Sequence, residues 1–409
     1  MTVEKPTSQL LELLEKSSPA KRVLRAQRAQ RAQRPGRPVV DSARFPLLAL
    51  VGQPEMKLAL LLALINPGVG GVLLVGPRGT GKTTAVRGLI DLLPQVQRST
   101  CPNGCEPEAA FVLGFEAVCP DCAVKLGRGE AITAPDRMRL VELPLNARLE
   151  DVVGGINERV ALEQHKVRLE PGVLSSADQN LLYIDEVNLL DPAVANAILD
   201  AAAQGQYAVR RGPLTATYRS RLVLIGSMNP EEGRLRPQIQ DRFGLRVLVR
   251  GLPDTDRRLE VYRRVHLFRT NPHALIAEWL EETRAVAEEI AAARSRLGAV
   301  TIPADVESAG LKWIHALDID SHRAEATLFE AARARTAADD RARVTLEDLR
   351  AVAPMALRQR RSQFISEYFA LQGREEAEIA RLVIQREGRP RTARTRARKK
   401  TGRGQASRA

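Results

Sequence analysis

The sequence predicts an α/β fold: a parallel sheet flanked by helices, followed by an all-helical domain. Three observations carry this. Apolar runs alternate with helical stretches from Phe45 to about Leu252. The first run after Gln53 ends in a glycine-rich loop that opens a helix. After Pro253 the strand signals largely stop, and Asp254 to about Gln385 is rich in Ala, Leu, Glu and Arg at helical spacing.

Five runs read as strands: Gly71–Gly76, Arg139–Leu145, Asn180–Asp185, Arg221–Ser227 and Leu245–Gly251. Near-continuous apolar strands are what a parallel sheet buried on both faces requires. The expected segments are a basic N-terminal extension at 1–38, a nucleotide-binding domain at 39–252, a helical domain at 253–385 and a basic tail at 386–409.

Charge supports these bounds. Of the formal net charge of +13, residues 1–38 carry +6 and residues 386–409 carry +9, which leaves −2 for the body between them. Basic tails can bind nucleic acid, acidic protein or an anionic membrane, or stay solvated and disordered. The near-neutral body argues against a nucleic-acid motor. No apolar stretch is long enough to span a membrane, and the N-terminus lacks the apolar region of a signal peptide. A cytoplasmic location is therefore expected.

The strongest motif is GPRGTGKT, which matches G-x-x-x-x-G-K-[ST] in full. Gly76, Pro77, Arg78, Gly79, Thr80, Gly81, Lys82, Thr83 and Thr84 are the expected phosphate-binding residues. The glycines let backbone N–H groups turn inward around a phosphate, and the helix N-terminus adds its dipole. Lys82 would reach the β- and γ-phosphates of ATP, and the Thr83 hydroxyl would ligate Mg²⁺. The run LLYIDE (Leu181–Glu186) delivers two carboxylates from a strand's carboxyl end. Asp185 is assigned to Mg²⁺ and Glu186 to the attacking water. Asn229 ends the strand RLVLIGSMN and is a candidate for bridging the γ-phosphate and that water, or a turn residue before Pro230. Arg242, just before the last core strand, is the candidate arginine finger for a neighbouring subunit; the alternative is a surface ion pair.

Together, LVGQPEMKLALLLALINPGVGGVLLVGPRGTGKTT, ELPLNARLEDVVGG, LEPGVLSSADQNLLYIDEVNLLD and GSMNPEEGRLRPQIQDRFGL resemble subunit I of magnesium chelatase, an AAA+ ATPase motor. The resemblance runs from about Phe45 to Arg361. It implies a P-loop AAA+ core that hydrolyses ATP to drive insertion of Mg²⁺ into protoporphyrin IX, on the route to chlorophyll and bacteriochlorophyll. It implies insertions at about 150–166 and a hairpin at 207–219, and a sensor arginine, Arg323, in the helical domain. It implies a homo-oligomeric ring, expected to be a hexamer. The implied partners are a second AAA-like subunit with an integrin-like domain and a large porphyrin-binding catalytic subunit. The main alternative is a MoxR-type chaperone that remodels a protein or assists another metallation.

The resemblance does not account for Cys101, Cys105, Cys119 and Cys122, spaced C-x₃-C-x₁₃-C-x₂-C in a loop at about 99–125. In a cytosolic chain such spacing suits a structural Zn²⁺; a redox dithiol or unliganded thiols are the alternatives. The five His show no paired ligand spacing.

Overall fold

The computed structural model describes residues 43–101, 104–156, 169–211, 214–233, 235–361, 367–368, 371–379 and 381. The basic tails assigned to 1–38 and 386–409, and positions 157–166 of the expected insertion, lie outside these residues. Two units divide the chain, Met1–Arg360 and Arg361–Ala409. The second unit is helical at 371–379. The first unit contains the sheet together with the helices up to Leu357.

A 3₁₀ turn, Leu47–Ala49, leads to helix α1 (Pro54–Ile65), which Pro54 opens. Every residue from Met56 to Ile65 is buried, including Lys57. A helix that is apolar all round must be covered all round. Here the sheet lies against it, and so do two helices of the C-terminal region. Strand β1 (Val72–Val75) follows, then helix α2 (Lys82–Gly88). The chain next forms an antiparallel ribbon, β2 (Gln95–Ser99) with β3 (Thr133–Arg137), that encloses α3 (Pro107–Leu113) and α4 (Pro120–Gly127).

After β4 (Leu140–Leu143) comes α5 (Leu149–Val153), and then β5 (Gly154–Ile156) pairs antiparallel with β6 (Leu169–Pro171). The described part of the insertion is thus a short helix and a strand. Helix α6 (Val173–Ser176), β7 (Leu181–Ile184) and α7 (Pro192–Gln204) follow. The hairpin is β8 (Gln206–Arg211) with β9 (Leu214–Arg219). Then come β10 (Val223–Met228), α8 (Pro237–Gln240) and β11 (Leu245–Leu248). The helical region holds α9 (Thr255–Thr270), α10 (Pro272–Glu278), α11 (Leu280–Arg296), α12 (Ala304–Ala316), α13 (Arg323–Ala338) and α14 (Leu346–Leu357).

The five apolar runs form one sheet in the order β11-β1-β10-β7-β4, every pair parallel. Val72 lies beside Ile225 and Leu245, and Leu181 beside Val223 and Leu140. Strand residues alternate between two cores, as the period of two demands. Val72, Leu74, Leu181, Tyr183, Val223 and Ile225 face one core, which α1 and the C-terminal helices share. Leu73, Val75, Leu182, Ile184 and Leu224 face the other, which α7 covers. Burying each of these side chains is worth about 1.5–3 kcal/mol.

The β2–β3 ribbon brackets the segment expected to be a plain loop at 99–125, and that segment holds two short helices. Its strands read QVQRS and TAPDR and lie partly exposed, so no apolar run marks them. Pro135, which has no N–H to donate, fits there because the ribbon has only two strands.

Candidate functional site

In a parallel sheet, the loops that leave the strands' carboxyl ends all gather at one edge. The glycine-rich loop leaves β1, Asp185 and Glu186 leave β7, and Asn229 leaves β10. All of them line one open cleft of about 220 Å³, bounded by Arg78–Thr84, Asp185, Glu186 and Ser227–Asn229. Gly76 must be glycine: a Cβ there would lie 2.1 Å from the Val249 carbonyl oxygen. Gly79 has φ +77° and nothing within 4 Å of a Cβ position, so the loop backbone is open to a ligand.

Lys82 Nζ donates to the carbonyl oxygens of Gly76 (2.6 Å) and Pro77 (2.9 Å). Burial presses its ammonium below the ordinary lysine value, and the carboxylates of Asp185, Glu186 and Glu232 partly oppose this. Thr83 Oγ1 donates to Asp185 Oδ2 at 3.1 Å. Tyr183 donates its phenol proton to Asp185 Oδ1 at 2.9 Å and stands 3.2 Å from both Thr83 Oγ1 and Ser227 Oγ. Ser227 also donates to Asp185 Oδ1. Burial raises the Asp185 carboxyl, but hydrogen bonds from Ser227, Tyr183 and Thr83 outweigh it and hold the group below its usual range. A hydroxyl and an ionised carboxylate in contact are a donor set suited to a hard divalent cation.

Glu186 adopts a left-handed backbone conformation, φ 52°, which is uncommon for a non-glycine residue. Its N–H donates to Ser227 Oγ at 3.3 Å, and its carboxylate lies 3.7 Å from Arg78. Arg78 is also paired with Glu232. Asn229 is buried, and its side-chain oxygen accepts from the Glu231 N–H at 3.2 Å. Its amide nitrogen is 3.3 Å from Glu231 Oε2. Asn229 therefore lines the cleft while also acting as the turn residue before Pro230.

Tyr183 and Ser227 lie inside the runs LLYIDE and RLVLIGSMN, but the sequence gives neither of them a role. Tyr183 sits two residues before Asp185 and so shares its face. Ser227 is placed beside Asp185 by the β7–β10 register, in which Gly226 pairs with Ile184. Only that register, invisible in one sequence, brings the two together.

Arg242 and Arg323 lie elsewhere. Both line a second cleft of about 180 Å³, together with Gly70, Gly71, Leu222 and Asp241. Gly71, Leu222 and Gly244 directly precede β1, β10 and β11, so this cleft opens at the amino edge of the sheet. The four-residue strand β1 alone spans roughly 13 Å between the two edges. Arg242 is paired with Asp200. Arg323 opens α13 and is 3.4 Å from Asp241. It is thus not among the residues at its own chain's phosphate loop, because the helical region places the start of α13 against the opposite edge. Asp241 also meets the buried arginines Arg360 (3.0 Å) and Arg246 (3.4 Å), and Ser321 donates to it at 3.1 Å. Three guanidinium groups thus converge on one carboxylate. Burial first, and then the Arg360 charge, lower Arg246 to about 10.

The four cysteines come together in a third place. Their Sγ atoms all lie within 4.8 Å of one another.

An AAA lid domain model matches residues 314–382, and an MCM P-loop domain model matches residues 157–246. The chain is 42% identical over 323 residues to a magnesium-chelatase subunit ChlI homolog of Methanocaldococcus jannaschii, covering 78% of this chain and 87% of the relative. It is 41% identical over 319 residues to the magnesium-chelatase 38 kDa subunit of Acidiphilium rubrum, covering 78% and 91%. A cryo-EM-based structure of the complex between subunits BchI and BchD of magnesium chelatase is 37% identical, with coverage of 80% and 99% and a TM-score of 0.43.

Proposed function

The chain belongs to the magnesium-chelatase family of AAA+ ATPase subunits, and we propose that it is the ATP-hydrolysing motor that drives insertion of Mg²⁺ into protoporphyrin IX. The observation that carries the ATPase reading is the cleft in which the phosphate loop, Thr83, Asp185 and Glu186 meet.

The loop from Gly76 to Thr84 holds the triphosphate, with Lys82 leaving the Gly76 and Pro77 carbonyls to contact the β- and γ-phosphates. Thr83 and Asp185 seat the Mg²⁺ of the nucleotide, which when bound neutralises phosphate charge. Glu186 orients the attacking water and takes up its proton as the oxygen bonds to the γ-phosphorus and ADP leaves. Asn229 positions the γ-phosphate and the water from the other side. Ser227 and Tyr183 are positioning residues that keep Asp185 ionised and fixed.

Arg242 and Arg323 act on a neighbour's nucleotide. They occupy the amino edge, so a ring that sets this edge against the next subunit's phosphate loop completes each site in trans. The two partly exposed arginines that line this cleft, Arg242 and Arg323, support an anion's approach there. ATP turnover then alters subunit interfaces, and partners that bind the two geometries unequally are driven by it. The proposed partners are a second AAA-like subunit with an integrin-like domain and a porphyrin-binding catalytic subunit. The ring is a hexamer in the cytoplasm. Among the described residues no helix is long and apolar enough to cross a membrane.

The test is Glu186→Gln. Steady-state ATPase should fall by about 10²–10⁴ while ATP binding is kept. In a reconstituted chelatase the same variant should abolish magnesium-porphyrin formation, read by fluorescence. Unchanged ATPase would remove Glu186 from its role. Full chelation without this chain would remove the motor assignment.

A further inference from the structure

We propose that Cys101, Cys105, Cys119 and Cys122 bind one Zn²⁺ as a closed tetrathiolate site, and that this ion holds the base of the β8–β9 hairpin in place. The ATPase reading uses none of these residues, and the site stands on four independent observations.

The first is geometry. Zn–S bonds of about 2.3 Å in a tetrahedron place sulfurs roughly 3.8 Å apart. Cys101 Sγ lies 3.8 Å from Cys105 Sγ and 3.5 Å from Cys119 Sγ, and all four sulfurs fall within 4.8 Å of one another. Bonded sulfurs would be about 2.05 Å apart, and no pair here is a disulfide.

The second is local sequence. Gly104, with φ +67°, turns the chain so that Cys101 and Cys105 face the same point. Cys119 is the N-cap of α4 and Pro120 its first residue, so Cys122 rises on the first helical turn beside Cys119. The third is the donor environment. The Cys119 N–H points at Cys105 Sγ at 3.2 Å, which suits a thiolate. Binding would release the thiol protons and leave four thiolates around one dication. Four sulfurs fill the tetrahedron, so the role is structural.

The fourth is what the segment lacks. Among the described residues between β2 and β3, the buried apolar core is Ala110, Val118 and Ile132 with two of the cysteines themselves, Cys105 and Cys122. Besides the other two cysteines, only Ala123 and Leu126 add partly buried apolar surface. Phe111, Val112, Leu113 and Phe115 are exposed and add nothing to it. A unit of this size cannot hold itself by burial and needs a staple.

The staple has a reach beyond itself. Glu106, next to Cys105, pairs with Arg219 at 2.9 Å and also with Arg221. Those arginines stand at the end of β9 and the entry to β10, the strand that carries Ser227 and leads to Asn229.

Elemental analysis of the full chain purified without chelator should give about one zinc per chain. A mercurial reagent should release it while four thiols titrate. The Co²⁺-loaded chain should show thiolate-to-cobalt charge transfer and the d–d bands of a tetrahedral site; that spectrum needs no variant and does not depend on one folding. The double variant Cys101→Ser/Cys122→Ser should keep less than a tenth of the zinc. By hydrogen exchange it should lose protection at least tenfold in 99–132 and at 206–221, while a fluorescent ATP analogue still binds. Lys82→Ala should keep its zinc, which separates this site from the ATPase reading. Metal-free chains with four titrating thiols after incubation with Zn²⁺ and reductant would overturn the site, and so would loss of two thiols as a disulfide in air. Zinc at one per chain with unchanged exchange at 206–221 would overturn its hold on the hairpin.

Discussion

The two edges of the central sheet carry opposite kinds of site. At the carboxyl edge the groups answer one another within the chain: Thr83 and Tyr183 donate to Asp185, and the carboxylates of Asp185 and Glu186 stand near Lys82. At the amino edge three arginines converge on Asp241 alone, and Arg242 leans on Asp200. The first edge is a pocket with its own counter-charges. The second is a cleft where the partly exposed Arg242 and Arg323 face solvent over two buried arginines. On the proposed reading, one subunit carries the pocket and the finger on opposite edges, and a neighbour completes each site.

The largest expected effect tests that division. Arg242→Ala should lower ATP turnover by about 10³ while nucleotide affinity stays within a few-fold, as for fingers delivered across an interface. A loss of affinity without loss of turnover would place Arg242 in its own chain's binding pocket and break the comparison. Next comes the support of the pocket. Ser227→Ala should weaken Mg²⁺-dependent nucleotide binding by about tenfold, because a carboxylate ligand loses the partner that orients it. The same variant should respond as wild type to mixing with Arg242→Ala subunits.

A third effect, on stability and not on turnover, probes the layer beneath the pocket. Lys57 is buried and donates to the Leu48 and Leu50 carbonyl oxygens. Burial first, and the Arg264 charge second, lower it from 10.5 to about 8. A lysine depressed in the fold costs stability at and below the folded value, and the cost fades as pH rises from about 8 to about 10.5. Wild-type stability should therefore gain up to about 3 kcal/mol across that window relative to Lys57→Met. Denaturant unfolding of the two proteins at pH 7.5 and pH 10 measures the difference directly. An equal change in both proteins would mean that Lys57 is not strained by burial.

The two edges also differ in how far the sequence discloses them. The pocket is legible because its parts are contiguous: a glycine loop, an apolar run ending in two acids, and a strand ending in Asn229. Buried parallel strands announce themselves as apolar runs, as β1, β7, β10 and β11 do. Strand β4 reads as one too but lies partly exposed at the sheet edge. Whatever depends on register or packing stays hidden. Ser227 and Tyr183 gather at Asp185 only once β7 lies beside β10. The resemblance marks Arg323 as a sensor arginine, but only the packing of α13 sets it beside Asp241. Asp241 reads in the sequence only as a neighbour of Arg242 with a lesser claim, yet the arginines of the second cleft converge on it. The β2–β3 ribbon is polar and exposed, so no hydrophobic pattern marks it.

The central claim is that the finger and the pocket of one working site come from different subunits. Mixing tests it most directly. Arg242→Ala subunits keep a sound pocket, and Lys82→Ala subunits keep a sound finger. Each alone should be nearly inactive as an ATPase. Co-assembled rings contain interfaces where an intact pocket meets an intact finger, so activity should return in proportion to their statistical abundance. Co-assembly shown by native mass spectrometry with no recovery of ATPase would contradict the claim and leave Arg242 as the partner of Asp200.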